Sequence, residues 1–309
     1  MHKQLDRGIE DTGSIVPFDN AVASAGDESY IIGNPGEGPS QTFNAVNCNA
    51  APGVPTCDAY AGSSGAYTEP KPRRNYDAAD FSYTKRFSHH WSFYGSYTLS
   101  RLNGNYPGLS ESDENGRTSP NIGRLFDYPI EQFDGHGKPL YGNLPTDRTH
   151  QLKGQFVYSF PFGTTFGVSQ LGLSGIPISR NAYVMPGHNY YLYFNGRGSD
   201  GRTPFLTQTD LYVQHEFRLG KTAKRFSVNM TVLNLFDQRT ILDYLNTIRR
   251  AGTSPTVDEV AFYAGQVNVQ SLVDAAAFPH GGYRVDPRFM DPRAWQDPRL
   301  IRFGAKFTF

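Results

Sequence analysis

The sequence predicts an all-β protein, an antiparallel transmembrane barrel wall, and three observations carry that prediction. The last nine residues, Ile301 to Phe309, alternate apolar and polar at every step and end on an aromatic. Strand-like segments upstream are joined by connections that are alternately very short and very long. Rings gather beside the short connections. Side chains of a strand point alternately to its two faces, so Ile301, Phe303, Ala305, Phe307 and Phe309 share one surface and Arg302, Gly304, Lys306 and Thr308 the other.

In chain order, residues 1–12 read as the remnant of one strand, and 13–74 as a Gly/Pro/Asn-rich loop. Strands cover 75–102: Asn75 to Phe87, a tight turn at Ser88-His89-His90, then Trp91 to Leu102 with Trp91, Phe93, Gly95, Tyr97 and Leu99 on one face. A loop covers 103–146. Strands resume over 147–180, the first running from Asp147 to Phe160. In it Leu152, Phe156, Tyr158 and Phe160 alternate with Gln151, Lys153, Gln155 and Ser159. Pro161-Phe162-Gly163 turns it into the next, expected from Thr164 to about Arg180. After a loop at 181–205 come two strands over 206–236, turned by Gly220-Lys221-Thr222-Ala223. The segment 237–298 leads to a closing strand at 299–309. Within it Thr256-Val257-Asp258-Glu259 is a capping box that predicts a short helix, and Val269 to Ala277 predicts a second. Three Asp-Pro-Arg triplets, at Asp286, Asp291 and Asp297, predict a stiff approach to the last strand, because proline fixes φ and forces its predecessor to be extended.

Short turns at one end and long loops at the other are the build of outer-membrane barrels, and strands of ten to fourteen residues exceed the usual soluble length. Phe87 with Trp91, Phe160 with Phe162 and Phe166, Phe217 with Phe226, and Phe307 with Phe309 predict one aromatic girdle at the short-turn end. Only 38% of the 309 residues are hydrophobic while 14% are aromatic, which suits a one-sided wall better than a packed soluble core. No apolar run is long enough for a membrane helix, and barrel strands would not produce one. Lys plus Arg and Asp plus Glu number 29 each, so no basic field favours nucleic acid. Met1 to Arg7 carries no secretory signal, so the chain is expected to be part of a longer precursor.

Residues expected to face the lumen are Gln151, Lys153, Gln155, Asp210, Gln214, Glu216, Arg218, Asn229, Arg302 and Lys306, too charged a set for a dry core. Cys48 and Cys57 lie close together, and a loop-closing disulfide is expected, with two free thiols as the alternative. The eight histidines lack zinc-site spacing, and His89-His90 is expected to be an exposed pair in a turn. Asp113-Glu114-Asn115-Gly116 lacks the distal Glu of a calcium loop. No catalytic fingerprint is present, and neither an enzyme nor a cofactor is expected.

Val232-Leu233-Asn234-Leu235-Phe236-Asp237 resembles the Asn-x-Phe-Asp signature of TonB-dependent receptors, on Asn234, Phe236 and Asp237. Asp297 through Phe309 resembles their closing strand. Tyr94 to Arg101, followed by Gly104-Asn105-Tyr106-Pro107-Gly108, and Asn34-Pro35-Gly36 upstream, resemble the Oar-like branch. The resemblance implies the last seven or eight strands of a 22-stranded, plug-filled barrel. It also implies an outer-membrane receptor importing an unidentified substrate, and energy supplied by the TonB complex through a missing amino-terminal region. The piece alone is not expected to transport. Implied partners are outer-membrane lipid, the missing plug and strands, and the barrel-assembly machinery, with Phe307 and Phe309 resembling a terminal insertion signal. The alternative is a small stand-alone outer-membrane barrel or adhesin.

Overall fold

The computed structural model describes residues 1–6, 10–13, 30–34, 36–37, 42–44, 66–68, 70–107, 129–184, 190–220, 224–248, 257, 259–276 and 286–309. Eight strands form one continuous antiparallel wall in sequence order. They are β1 (His2–Leu5), β2 (Arg74–Ser88), β3 (Trp91–Gly104), β4 (His150–Ser159), β5 (Thr164–Leu173), β6 (Leu206–Arg218), β7 (Arg225–Leu233) and β8 (Leu300–Thr308). A short strand, Gly142–Asn143, adds to the end of β3 away from the tight turns. The seven strands from β2 to β8 run 9 to 15 residues, at or above the nine to eleven that cross a bilayer at a tilt.

The tight turns follow from local chemistry. Between β2 and β3 only His89 and His90 intervene, and both take positive φ, 53° and 71°. That geometry lets a two-residue loop match the twist of its flanking strands. Between β4 and β5, Phe160 N–H donates to Thr164 O at 2.7 Å, and Gly163 turns with φ of 94°. A side chain there would also press on the Glu216 carbonyl, so glycine is required twice over.

The register carries one apolar face across the wall. Phe307 pairs with Phe226 and Phe226 with Phe217; Phe303 pairs with Met230 and Met230 with Val213. Val213 continues through Phe166 and Tyr158 to Trp91. Ring contacts mark the girdle at the short-turn end: Tyr158 to Phe160 at 4.7 Å, Phe160 to Phe162 at 5.1 Å, and Phe217 to Phe226 at 6.2 Å. These rings cover no core: Phe303 is 80% exposed and Phe309 93%. A row of such side chains in water would be a large exposed apolar patch, so the face demands an apolar surround.

A second aromatic row, not anticipated from the sequence, crosses the same face nearer the long loops. Phe81 stacks on Tyr97 at 6.4 Å, Tyr97 pairs with Leu152, and Phe205 lies over Gly172 beside Leu152. From Leu152 to Phe160 the chain climbs about 20 Å at ~3.3 Å per residue and a ~40° tilt, close to the ~25 Å height of a barrel's apolar band. The two rows therefore bound one hydrocarbon thickness.

Several boundaries differ from those expected. The strand expected from Thr164 to about Arg180 ends as regular ladder at Leu173. Gly175 comes too close to the Thr203 carbonyl for a side chain, and Pro177 offers no donor. After this break residues 176–178 resume antiparallel pairing with 201–203 in the same register. The third expected strand starts at His150 rather than Asp147, because Asp147 is buried as a side-chain acceptor and partner of Arg202. The sixth ends at Leu233, where Asn234 turns with φ of 50°. Residues 1–12, expected as the remnant of one strand, hold β1 and the separate strand Glu10–Gly13, which pairs with Tyr30–Gly33; within 13–74, expected as loop, Thr42–Asn44 pairs with Ala66–Thr68. Cys48, Cys57 and Asp113 to Gly116 lie outside the described residues.

Candidate functional site

All ten residues expected in the lumen fall on the single face opposite the rings. Lys153 and Gln155 lie across from Leu171 and Ser169, Ser169 across from Asp210, Gln214 across from Asn229, and Asn229 across from Gly304. Arg302 and Lys306 flank Gly304 on that face, while Gln151, Glu216 and Arg218 complete it. Their bonds run within the surface: Arg225 to Glu216 at 3.0 Å, Gln208 Nε2 to Asp210 Oδ1 at 3.0 Å, and Tyr212 O–H to Gln214 Oε1 at 2.5 Å. Polar and charged side chains on one side, densest on β6 and β8, and rings on the other suit a wall between hydrocarbon and a hydrated interior.

Over the long-loop end sits a cap with its own hydrophobic core. Three separate connections build it, each supplying residues that cannot be buried alone. Phe133 comes from the β3–β4 connection, Ala182 and Leu192 from the β5–β6 connection, and Ile248, Val257, Phe262, Tyr263, Val269 and Val273 from the β7–β8 connection. The strand Asn181–Val184 joins Tyr190–Tyr193 antiparallel and Thr247–Ile248 parallel. Phe133 meets Tyr263 edge-on at 5.0 Å. The two expected helices are present as α1 (Glu259–Tyr263) and α2 (Val269–Ala276), and Asn268 Oδ1 caps α2 by accepting from Ser271 N. The capping-box residues Thr256 and Asp258 lie outside the described residues. Beneath the cap, the Asp147 carboxylate accepts from Leu102 N at 2.6 Å and pairs with Arg202, whose guanidinium also reaches the Gly175 carbonyl. Arg148 donates to the Ser174 carbonyl, so the outer ends of β3, β4 and β5 are tied together. Nothing in the sequence distinguished Asp147 from any other loop aspartate.

The signature residues form a clasp. Asn234, 2% exposed, donates from Nδ2 to the carbonyls of Gln238 and Asp297 at 2.9 and 2.8 Å and accepts from Gln238 N at 3.0 Å. Asp237 accepts from Arg299 N at 2.9 Å, and that hydrogen bond holds its carboxyl below the ordinary carboxylate range. The clasp thus joins the end of β7 to the start of β8. Phe236 is exposed beside it. The Asp-Pro-Arg triplets are fastened along the same path. Asp286 chelates Arg288, Arg293 pairs with Asp243 at 2.5 Å, and residues Pro292–Trp295 pair with Ile241–Tyr244.

The histidines do not converge. His150 meets Tyr97 O–H at 2.8 Å, His215 meets Thr164 at 2.7 Å, and among the described residues no cluster could hold a metal. No described helix is long and apolar enough to cross a membrane.

Residues 22–175 match the family model of the outer membrane beta-barrel domain. Over 322 aligned positions covering the whole chain, the sequence is 30% identical to the TonB-dependent transporter Oar of Myxococcus xanthus. The chain spans 26% of that relative's length, in its C-terminal part. No solved structure matches. With its apolar face set for lipid and its polar face for an interior, the chain is an outer-membrane β-barrel wall, similar over its whole length to the C-terminal part of the TonB-dependent transporter Oar.

Proposed function

We propose that this chain is the closing wall of a receptor that moves a substrate across the outer membrane with energy from the TonB complex. The observation that carries the reading is the segregation of all ten lumen residues onto one face of a wall whose other face is ringed by aromatics. Such a wall can contribute an interior and an outer cap. Coupling to TonB needs a plug, and none of the described elements has that form. The wall strands 75–102, 147–180, 206–236 and 299–309, with loops 13–74, 103–146, 181–205 and 237–298 outside, are read as one domain of that barrel. Phe307 and Phe309 are its insertion signal for the barrel-assembly machinery, and Cys48 and Cys57 are a disulfide in the first outer loop.

The test compares two proteins in the same outer membrane. One is this chain exported alone; the other is this chain joined to a plug and the preceding strands of an Oar-like receptor. Energised, TonB-dependent transport is expected only from the second. Heat-modifiable barrel from the isolated chain would overturn the reading in favour of a small self-closing barrel or adhesin.

A further inference from the structure

Within the cap, between the β3–β4 connection, the segment that follows the strand ending at Tyr193 and the start of α2, lies a cleft of about 430 Å³, partly open to solvent. Its floor is apolar and firmly held: Leu140 and Val269 are 2% and 3% exposed. Its walls carry three rings, Tyr141, Tyr193 and Phe194. Its rim carries Asp134, His136, Asn195 and Asn268. The volume lies in the range of small-molecule sites and above that of a trapped water or single ion.

The polar groups on the rim are half used. Asp134 Oδ1 accepts from His136 N and Lys138 N at 2.8 and 2.9 Å, which fixes the carboxylate and leaves its second oxygen. Asn195 Nδ2 is committed to Asp200 at 2.7 Å, leaving its amide oxygen. Asn268 Oδ1 is committed to the α2 cap, leaving its amide nitrogen. Each side chain is therefore oriented by one bond and presents the other end, so donors and acceptors are both on offer at fixed positions. All three rings are also braced, Tyr193 by Arg197 at 5.2 Å. Arg73 lies over Tyr141 at 5.4 Å and Arg180 over Phe194 at 5.9 Å, with Arg180 itself paired to Asp200 at 2.9 Å.

The charge balance narrows the ligand. No lysine or arginine lines the cleft itself and Asp134 on its rim disfavours an anion, while the guanidinium groups of Arg73, Arg180 and Arg197 against its rings disfavour an organic cation. Fewer than three potential metal ligands gather there, so a bare cation is disfavoured too. What remains is a neutral molecule with many hydroxyls and an apolar C–H face. The hydroxyls fit a carboxylate oxygen, an amide oxygen, an amide nitrogen and an imidazole; the C–H face fits a ring. We propose that the cleft binds a neutral mono- or disaccharide unit. The inference goes beyond the transport reading and does not depend on it, since binding needs neither TonB nor an open lumen.

The experiment uses the complete receptor in detergent, titrated calorimetrically with glucose, maltose, cellobiose and N,N′-diacetylchitobiose, with saturation-transfer NMR on the sugar protons. At least one should bind with a dissociation constant of millimolar or better. Tyr141→Ala and His136→Ala, both at exposed positions, should each weaken that binding about tenfold while the heat-modifiable barrel band stays unchanged. Tyr141→Phe should retain most of the affinity, which separates ring stacking from misfolding of the cap. Absence of binding by all four sugars, or binding that neither alanine variant alters, would overturn the proposal. So would a short peptide or a divalent cation that binds with loss in those variants while the sugars do not. Abolished transport with sugar binding intact would leave this site standing and count against the transport reading alone.

Discussion

At the scale of single residues, the receptor signature is a fastening whose strength can be measured. Asn234 sits at φ of 50°, a conformation that costs most residues about 1–2 kcal/mol, and its amide makes three hydrogen bonds to the backbone. At a net ~0.5–1.5 kcal/mol per bond, Asn234→Ala should destabilise the assembled barrel by roughly 3 kcal/mol, and Asn234→Gly, which relieves the φ cost, by about 1 kcal/mol less. Urea midpoints of the complete receptor in detergent check both, and equal losses in the two variants would remove backbone strain from the account. Carboxylates along the same path respond to acid. Arg288 holds Asp286 at about 2, against an ordinary 3.8, and Arg299 N–H holds Asp237 below its ordinary value as well. Because the folded-state values are depressed, their stabilisation is complete above the ordinary value and is lost as pH falls through the folded one. Protease sensitivity of the 286–299 segment should therefore rise as pH drops from 3.8 toward about 2 and flatten in Asp286→Asn with Asp237→Asn. A flat profile in the parent protein would contradict this.

At the scale of elements, the two-residue turn between β2 and β3 is built from poor turn formers. His89 and His90 both hold positive φ, where Asn followed by Gly is the favoured pair. His89→Asn with His90→Gly should stabilise the hairpin by about 1–2 kcal/mol, read as a higher urea midpoint, and a lower midpoint would show that the imidazoles do more than close the turn. The turn was legible because its flanking strands alternate cleanly, and so were β3, β4 and β8, where lipid and lumen impose opposite demands on successive residues. The end of β5 was not legible: Leu171 to Ile178 stays mostly apolar past Leu173, and what ends the ladder is the close passage of Gly175 against Thr203, a contact with no local trace. The cap was illegible for the same reason. Phe133, Leu192 and Phe262 each look like an isolated apolar residue in a polar loop, and only the meeting of three connections makes them a core. The outer aromatic row could have been found by asking whether Phe81, Tyr97 and Phe205 share the face of Phe93 and Phe156, since their spacing along each strand is even or follows from the pairing.

At the scale of the whole molecule, two solvents act on one wall, and the neighbouring residues Val168 and Ser169 separate their effects. Val168 pairs with Leu211 and Phe156 between the two aromatic rows, where hydrocarbon is expected, while Ser169 pairs with Asp210 and Gln155 on the lumen side. An arginine on the lipid side near mid-depth costs about 2–4 kcal/mol, falling toward zero at the interfaces, whereas a lumen arginine keeps its hydration. In the complete receptor, Val168→Arg should therefore cut the heat-modifiable barrel sharply. Ser169→Arg, one residue away and across from the Asp210 carboxylate of β6, should leave the barrel near the parent level. The pair controls for chain position, side-chain size and charge, so only the facing differs between them. Equal tolerance at both positions would mean that both sides of the wall meet water. In that case the rings of Phe303, Phe307 and Phe309 would need a protein partner rather than lipid to cover them.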